Sequence, residues 1–207
     1  MRVIHINTWD QDGGAARAAV RIHCGLRRLG VESWFLTRAG HSGDPFVISP
    51  QKRVQRLQDK VNIYFEAALK KITHMGETSP WSFNATLFHV VPRLLQGREY
   101  ELAHLHWINA GFLGISSLAA IRRPIVWTLH DSWPFTGGCH IPYECSAYRT
   151  GCYHCPKAGK NVRRDWAHRV FRQKKKYYPQ KMHIVCPSNW LADAASSSAL
   201  FAGQDIR

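Results

Sequence analysis

The sequence predicts an α/β domain, a parallel sheet wound on both faces by helices. Three observations carry that expectation. Segments of strand character alternate with segments of helical period along the whole chain. A glycine pair, Gly13-Gly14, sits between the first strand and the first helix. Polar, chemistry-bearing residues gather where the strands stop: Asn7, His104 and His106, His130-Asp131 and Ser188. In open sheets of this class ligands bind beyond the carboxyl ends of the strands.

The elements follow in order. Val3 to Ile6 is a short apolar strand, and after the glycine pair Ala15 to Leu29 places Ala19, Ile22, Leu26 and Leu29 at helical spacing. Gly30 stands where a helix ends in a left-handed residue. Val31 to Thr37 completes a strand–helix–strand opening, and Phe46 to Ile48 is a further short strand. Val54, Leu57, Val61, Phe65, Ala68, Leu69 and Ile72 recur every three or four residues, which predicts a long amphipathic helix with these positions inward. The segment 74–84 reads as a packed loop through Trp81 and Phe83. Leu87 to Leu95 reads as a helix, 102–107 as a strand, 112–121 as a helix and 124–129 as a strand. After a cysteine-rich stretch come a basic helix over 163–178 stopped by Pro179, a strand at 183–186, and a helix over 190–198 capped by Ser188 or Asn189. The chain is expected to be one domain, 1–207, excised from something longer.

Composition narrows the function class. The 207 residues are 45% hydrophobic, enough for a sizeable core. There is no apolar run of about 18 residues to span a membrane, and no signal peptide pattern at Met1, so a cytoplasmic location is expected. The formal net charge of +14 calls for anionic partners. It is concentrated: between Lys157 and Lys181 ten lysines and arginines face one acid, Asp165.

Gly13-Gly14 before a helix N-terminus suits a phosphate, because exposed N–H groups and the helix dipole both favour an anion. The dinucleotide fingerprint G-x-G-x-x-G is absent, which disfavours a nicotinamide enzyme. His130 ends its strand opposite the glycines and can bond a hydroxyl or share developing charge. Of His104 and His106, one is expected to face the crevice and the other the core.

Cys139, Cys145, Cys152 and Cys155 follow a C-x5-C-x6-C-x2-C pattern within 17 residues. Disulfides are rare in the cytosol, and the tight C-x2-C pair chelates one ion without strain. A structural Zn2+ in a cysteine-rich insertion, 137–156, is the leading expectation, with an iron–sulfur cluster or disulfides as alternatives. His140 and His154 stand as reserve ligands. Four filled positions leave no catalytic metal. Trp166, Phe171, Tyr177 and Tyr178 interleave the cations of the basic helix, a pattern that suits a headgroup layer or nucleic acid, with at least two of the aromatics expected to face the core.

These blocks together carry a resemblance. MRVIHINTWDQDGGAARAAVRIHCGLRRLGVES, AHLHWINAGFL, VWTLHDSWPFTGGCHIPYECSAYRTGCYHCP and IVCPSNWLADAASSSALF resemble the N-terminal half of family 4 glycosyltransferases, of the type that builds bacterial exopolysaccharide and colanic acid. The resemblance implies one half of a GT-B enzyme, a Rossmann-like domain that binds the acceptor. It implies a nucleotide-sugar donor, retention at the anomeric carbon and no catalytic metal. It places Gly13 and Gly14 at the donor diphosphate, with Arg17, Asn7 and His106 expected beside the phosphate or substrate. His130, with Asp131, is then the catalytic pair at the donor sugar. The donor-binding C-terminal domain of such enzymes has no counterpart here, so independent turnover is not expected. A glycan or lipid-linked acceptor accounts for a basic domain resting peripherally on anionic membrane. The competing reading is a non-enzymatic zinc-knuckle nucleic-acid binder, which explains the charge and the cysteines but not the polar groups collected at the strand ends.

Overall fold

The computed structural model describes residues 1–77, 79–156 and 165–207. Seven strands form one sheet, all parallel: β1 (Arg2–Ile6), β2 (Glu32–Leu36), β3 (Val47–Ile48), β4 (Leu102–Leu105), β5 (Ile125–Thr128), β6 (His183–Val185) and β7 (Asp205–Ile206). Their spatial order is β3-β2-β1-β4-β5-β6-β7, so the winding reverses between β1 and β4. This is the α/β architecture that the sequence predicts. β7 is an addition that it does not announce: two residues with too little pattern to read, held by pairing to β6.

Helix α1 (Gly13–Arg28) joins β1 to β2 and buries Ala16, Ala19 and His23. Gly30, at φ 78°, follows its C-terminal end as expected. On the sheet's other face Ile4, Ile6, Ala103, Leu105, Ile125 and Trp127 join a continuous core with α3 (Val90–Leu95) and α4 (Trp166–Tyr177). The helix expected over 112–121 is a 3-10 helix, Ile115–Ala120, packed against α4. α5 (Asn189–Ser196) is capped by the Ser188 hydroxyl, which accepts from the Leu191 N–H at 3.3 Å.

Helix α2 (Arg53–Thr73) corrects the sequence reading. Its buried side chains are polar: Asp59, Asn62, Glu66 and Thr73. Asp59 pairs with buried Arg38 at 2.8 Å. Asn62 Oδ1 accepts from the N–H groups of Leu87 and Phe88, at 2.9 and 3.0 Å, and its Nδ2 donates to Phe88 O. Glu66 accepts from Phe83 and Ala85 N–H. The positions expected inward include Val54, Leu57 and Ile72, and these are exposed at 54%, 60% and 75%. The reason is what lies beneath. The helix covers irregular chain, 83–88, whose backbone N–H groups need acceptors more than the helix needs an apolar seat.

The loop expected to pack does so, with Trp81 and Phe83 buried. Trp81 bridges antiparallel to Cys139, and Ser82 N–H donates to Gly138 O at 2.8 Å. Position 138 must be glycine. Its φ is 130°, and a Cβ there would meet the Trp81 ring at 2.4 Å.

Candidate functional site

The switch point between β1 and β4 opens into a cavity of about 500 Å3. Asn7 and Trp9 line it from beyond β1, Asp12 to Ala16 from the start of α1, Trp107 from beyond β4, and His130 and Asp131 from beyond β5. Residues more than a hundred positions apart meet here because parallel strands all end on the same side of the sheet.

The glycine pair begins α1. Gly13 holds φ at 88°, and the space that a Cβ would fill at Gly13 and Gly14 is open. Asp12 occupies the N-cap position but makes no side-chain capping bond, and the first turn holds no acid. The leading N–H groups of a long helix therefore border the cavity without a side-chain cap.

Asn7 is a clamp as well as a lining residue. Its Oδ1 accepts from Trp107 N–H at 2.8 Å, and its Nδ2 donates to Trp9 O at 2.6 Å. Arg38 backs the Trp9 ring, its guanidinium 5.1 Å from the ring centroid. Asp131 is likewise occupied. Oδ2 accepts from Trp107 Nε1 at 3.0 Å and faces His140 Nδ1 at 2.7 Å, and Oδ1 accepts from Trp133 N–H at 2.8 Å. A carboxylate with both oxygens committed orients its neighbours; it is not a free base. His140, a reserve metal ligand on the sequence reading, spends its rings' nitrogens on Asp131 and on Ser82 Oγ, 2.9 Å away.

Two expected site residues lie elsewhere. Arg17 is exposed on α1 and does not line the cavity. His106 is buried behind the cavity wall. Nor do His104 and His106 divide between two faces. Residues two apart along a strand share a face, and their ring centroids are 4.2 Å apart. Sequence reasoning also missed His5. It is registered opposite His104 across β1 and β4, and its Nδ1 lies 3.1 Å from His106 Nε2. The available signal was polar: one histidine inside an apolar first strand, and histidines at the ends of the two strands expected beside it. Trp9 and Trp107, which give the cavity two aromatic walls, carried no such signal.

Desolvation governs these rings. Burial, helped by the neighbouring histidines, lowers His5 to about 2 and His104 to about 4, and moves His106 down as well. His130 is lowered by burial and partly held up by Asp131. His5, His104 and His106 form the one group among the described residues with three metal-capable atoms within 4.8 Å of one another. No carboxylate belongs to that group, and a dication there would be buried without a counter-charge. The rings are instead bonded to each other and to Thr128.

The four cysteines line a second, apolar cavity of about 20 Å3. None is in a disulfide. Gly137 N–H donates to Cys152 Sγ at 3.0 Å. Burial and the nearby Cys139 push the Cys152 thiol up to about 12. Beside them Lys174 is fully buried. It donates to Trp133 O and to Thr136 O, and its ammonium lies 3.5 Å from the Trp133 ring centroid. Desolvation lowers it to about 7. The basic helix thus sends a cation inward. Its aromatics also face in: Phe171 is buried, Trp166 meets Phe83 edge-on, and Tyr178 donates to Pro134 O. Lys157, Lys160, Arg163 and Arg164 lie outside the described residues.

The buried histidines make a prediction about acid. Unfolded, each binds a proton near pH 6.5; folded, His104 does so only near 4 and His5 only near 2. Between those values the unfolded chain holds more protons, so the stability is complete above pH 6.5 and is lost on acidification. Each histidine is expected to remove about 1.4 kcal/mol per pH unit in that window. Urea midpoints between pH 7.5 and 5 should fall steeply, and less steeply in His104→Leu. A flat profile would contradict the buried, neutral stack.

Residues 12–207 match the family described as Glycosyltransferase Family 4. The chain is 26% identical over 209 residues to the putative colanic acid biosynthesis glycosyl transferase WcaC of Escherichia coli (strain K12), an alignment covering 95% of this chain and 51% of that protein. The chain thus spans about half the length of that curated relative. No helix among the described residues is long and apolar enough to cross a membrane. With most of its length matched, the chain belongs to glycosyltransferase family 4.

Proposed function

We propose that this domain is the acceptor-side half of a retaining glycosyltransferase that moves a sugar from a nucleotide-sugar to a glycan or lipid-linked acceptor in cell-surface polysaccharide synthesis. The observation that carries this reading is the cavity at the β1/β4 switch, where the uncapped start of α1 faces His130 across one opening. Gly13 and Gly14 offer N–H groups to a diphosphate oxygen. His130 meets the transferred sugar. Asn7 and Asp131 hold the two tryptophan-bearing loops at their separation, and Trp9 and Trp107 supply apolar faces for a sugar ring. No lysine or arginine among the described residues lines the cavity, so most of the diphosphate charge is met by a second, donor-binding half. Transfer therefore requires both halves. Polar groups focused at strand ends favour this over nucleic-acid binding.

Two finer readings accompany it. The cysteine loop, 137–156, holds a structural Zn2+ through Cys139, Cys145, Cys152 and Cys155. Their place in the lining of one small cavity and the N–H donated to Cys152 support it, since a metal displaces thiol protons that burial otherwise retains. The domain also rests peripherally on anionic membrane from the cytoplasmic side. The aromatics of α4 are unavailable for this, but α2 turns Val54, Leu57, Tyr64 and Ile72 outward beside the exposed Arg53, Arg56, Lys60 and Lys71. Apolar anchors flanked by cations suit an acidic headgroup layer.

Each reading has a direct test. Nucleoside diphosphates titrated into labelled protein should shift the backbone amide signals of Gly13, Gly14 and Ala15. Unmoved amides, with salt-steep binding to random RNA, would favour the nucleic-acid reading. Elemental analysis of the purified protein should find one zinc per chain, and Cys152→Ser should lose it; a folded, metal-free protein with four reduced thiols ends the zinc reading. Sedimentation with vesicles should require acidic lipid and weaken several-fold in Leu57→Ser/Tyr64→Ser. Equal binding to neutral vesicles, or an unaffected variant, removes α2 from the membrane.

A further inference from the structure

Behind His130 the sheet holds a row of imidazoles. His5 and His104 face each other across β1 and β4, with centroids 4.9 Å apart, and His106 continues the same face. His5 Nδ1 lies 3.1 Å from His106 Nε2, and His106 Nδ1 lies 3.2 Å from His130 Nε2. His104 branches off to Thr128 Oγ1 at 2.8 Å. The row therefore runs His5–His106–His130, from the buried interior to the cavity.

A neutral imidazole carries one N–H and one lone pair. Burial keeps His5 and His106 neutral, so the two bonds between them and His130 must point the same way. The blind end decides which way. His5 Nε2 is buried with no partner among the described residues. If the row donated inward, His5 would carry its proton on that nitrogen, as a buried N–H with no acceptor. If it donates outward, the same nitrogen is a bare lone pair. Buried donors without partners are the rarer and costlier of the two. Outward donation places His5 Nδ1–H on His106 Nε2, and His106 Nδ1–H on His130 Nε2.

We propose that His5 and His106 are positioning residues that hold His130 as its Nδ1–H tautomer, so that it meets the cavity as a hydrogen-bond donor to a hydroxyl or phosphoryl oxygen and not as a base. Nε2 is occupied by His106, which leaves Nδ1 for the ligand. The cavity then presents donors from two sides, the first turn of α1 and His130. The inference deepens the glycosyltransferase reading only in naming the oxygen; the tautomer itself does not depend on that reading.

Nitrogen-15 spectra of the histidine rings, recorded on the ligand-free protein at pH 7.5, test it. His106 and His130 should each show a protonated Nδ1 and a bare Nε2. His106→Leu should return His130 to the tautomer mixture of a solvent-exposed histidine. His106→Asn should restore the Nδ1–H form, because its amide N–H stands where His106 Nδ1–H stood. A protonated Nε2 on His130 in the unmodified protein overturns the proposal, as does an unchanged His130 in His106→Leu. Stoichiometric Zn2+ or Co2+ that binds His5, His104 and His106 and is lost in His5→Phe would overturn it in favour of a metal site. Absence of sugar transfer, by contrast, leaves these spectra as they are and counts only against the enzymatic reading.

Discussion

The carboxylate of Asp131 is where the separate parts of the site become one object. It receives the indole N–H of Trp107 from beyond β4, the backbone N–H of Trp133 from its own turn, and the His140 ring from the cysteine loop. His140 in turn faces Ser82 in the segment beneath α2. Four stretches of chain are fixed by one half-buried anion. The charge is affordable because three donors replace the water it loses. Without the carboxylate the Trp107 indole, one wall of the cavity, would lose its side-chain anchor. Asn7 repeats the arrangement on a smaller scale by tying Trp107 to Trp9.

The fold was legible because its signals are local. Strand and helix periods, the glycine pair before α1, and Ser188 before α5 are each decided within a few residues of sequence. The cavity followed from topology, since parallel order alone brings Asn7, Gly13 and His130 to one end of the sheet. Three things were not legible, and they share a cause. The apolar stripe of α2 points outward because the chain beneath it, 83–88, demands hydrogen-bond acceptors. Lys174 sits inside a cationic run because two carbonyls of the loop after β5 need a donor. His106 faces a buried histidine row and not the ligand because β1 and β4 are in register. In each case the deciding partner is remote in sequence, and hydrophobic period carries no information about a remote backbone's unpaired groups.

Lys174 and the cysteine cavity belong to the same piece of construction. The lysine holds the carbonyls of Trp133 and Thr136, Gly138 is pressed against Trp81, and Cys152 receives the N–H of Gly137. The loop leaving His130-Asp131 is thereby fastened at successive residues before it reaches the C-x2-C pair. On the proposed reading, a thiolate-bound ion would give the buried ammonium a neighbour of opposite charge and complete the fastening. The metal would act on the site only by holding still the loop that carries Asp131.

The distribution of charge separates attraction from recognition. The chain is strongly basic, yet the cavity is lined by Asp12 and Asp131, and its histidine is held toward the neutral form by burial. A field of +14 draws anions to the surface at long range, but it does not by itself select one. Selection at the cavity falls to oriented neutral donors, the N–H groups at the start of α1 and the ring of His130. Such donors read the positions of oxygens and are indifferent to bulk anions that cannot reach them. Their grip on a full diphosphate is weak while two carboxylates share the opening, so a tight complex needs cations from outside this domain. On the proposed reading, that weakness has a use in a two-part enzyme. There the acceptor side would not trap the donor alone, and the donor would be held firmly only once a second half closed the reacting groups between them.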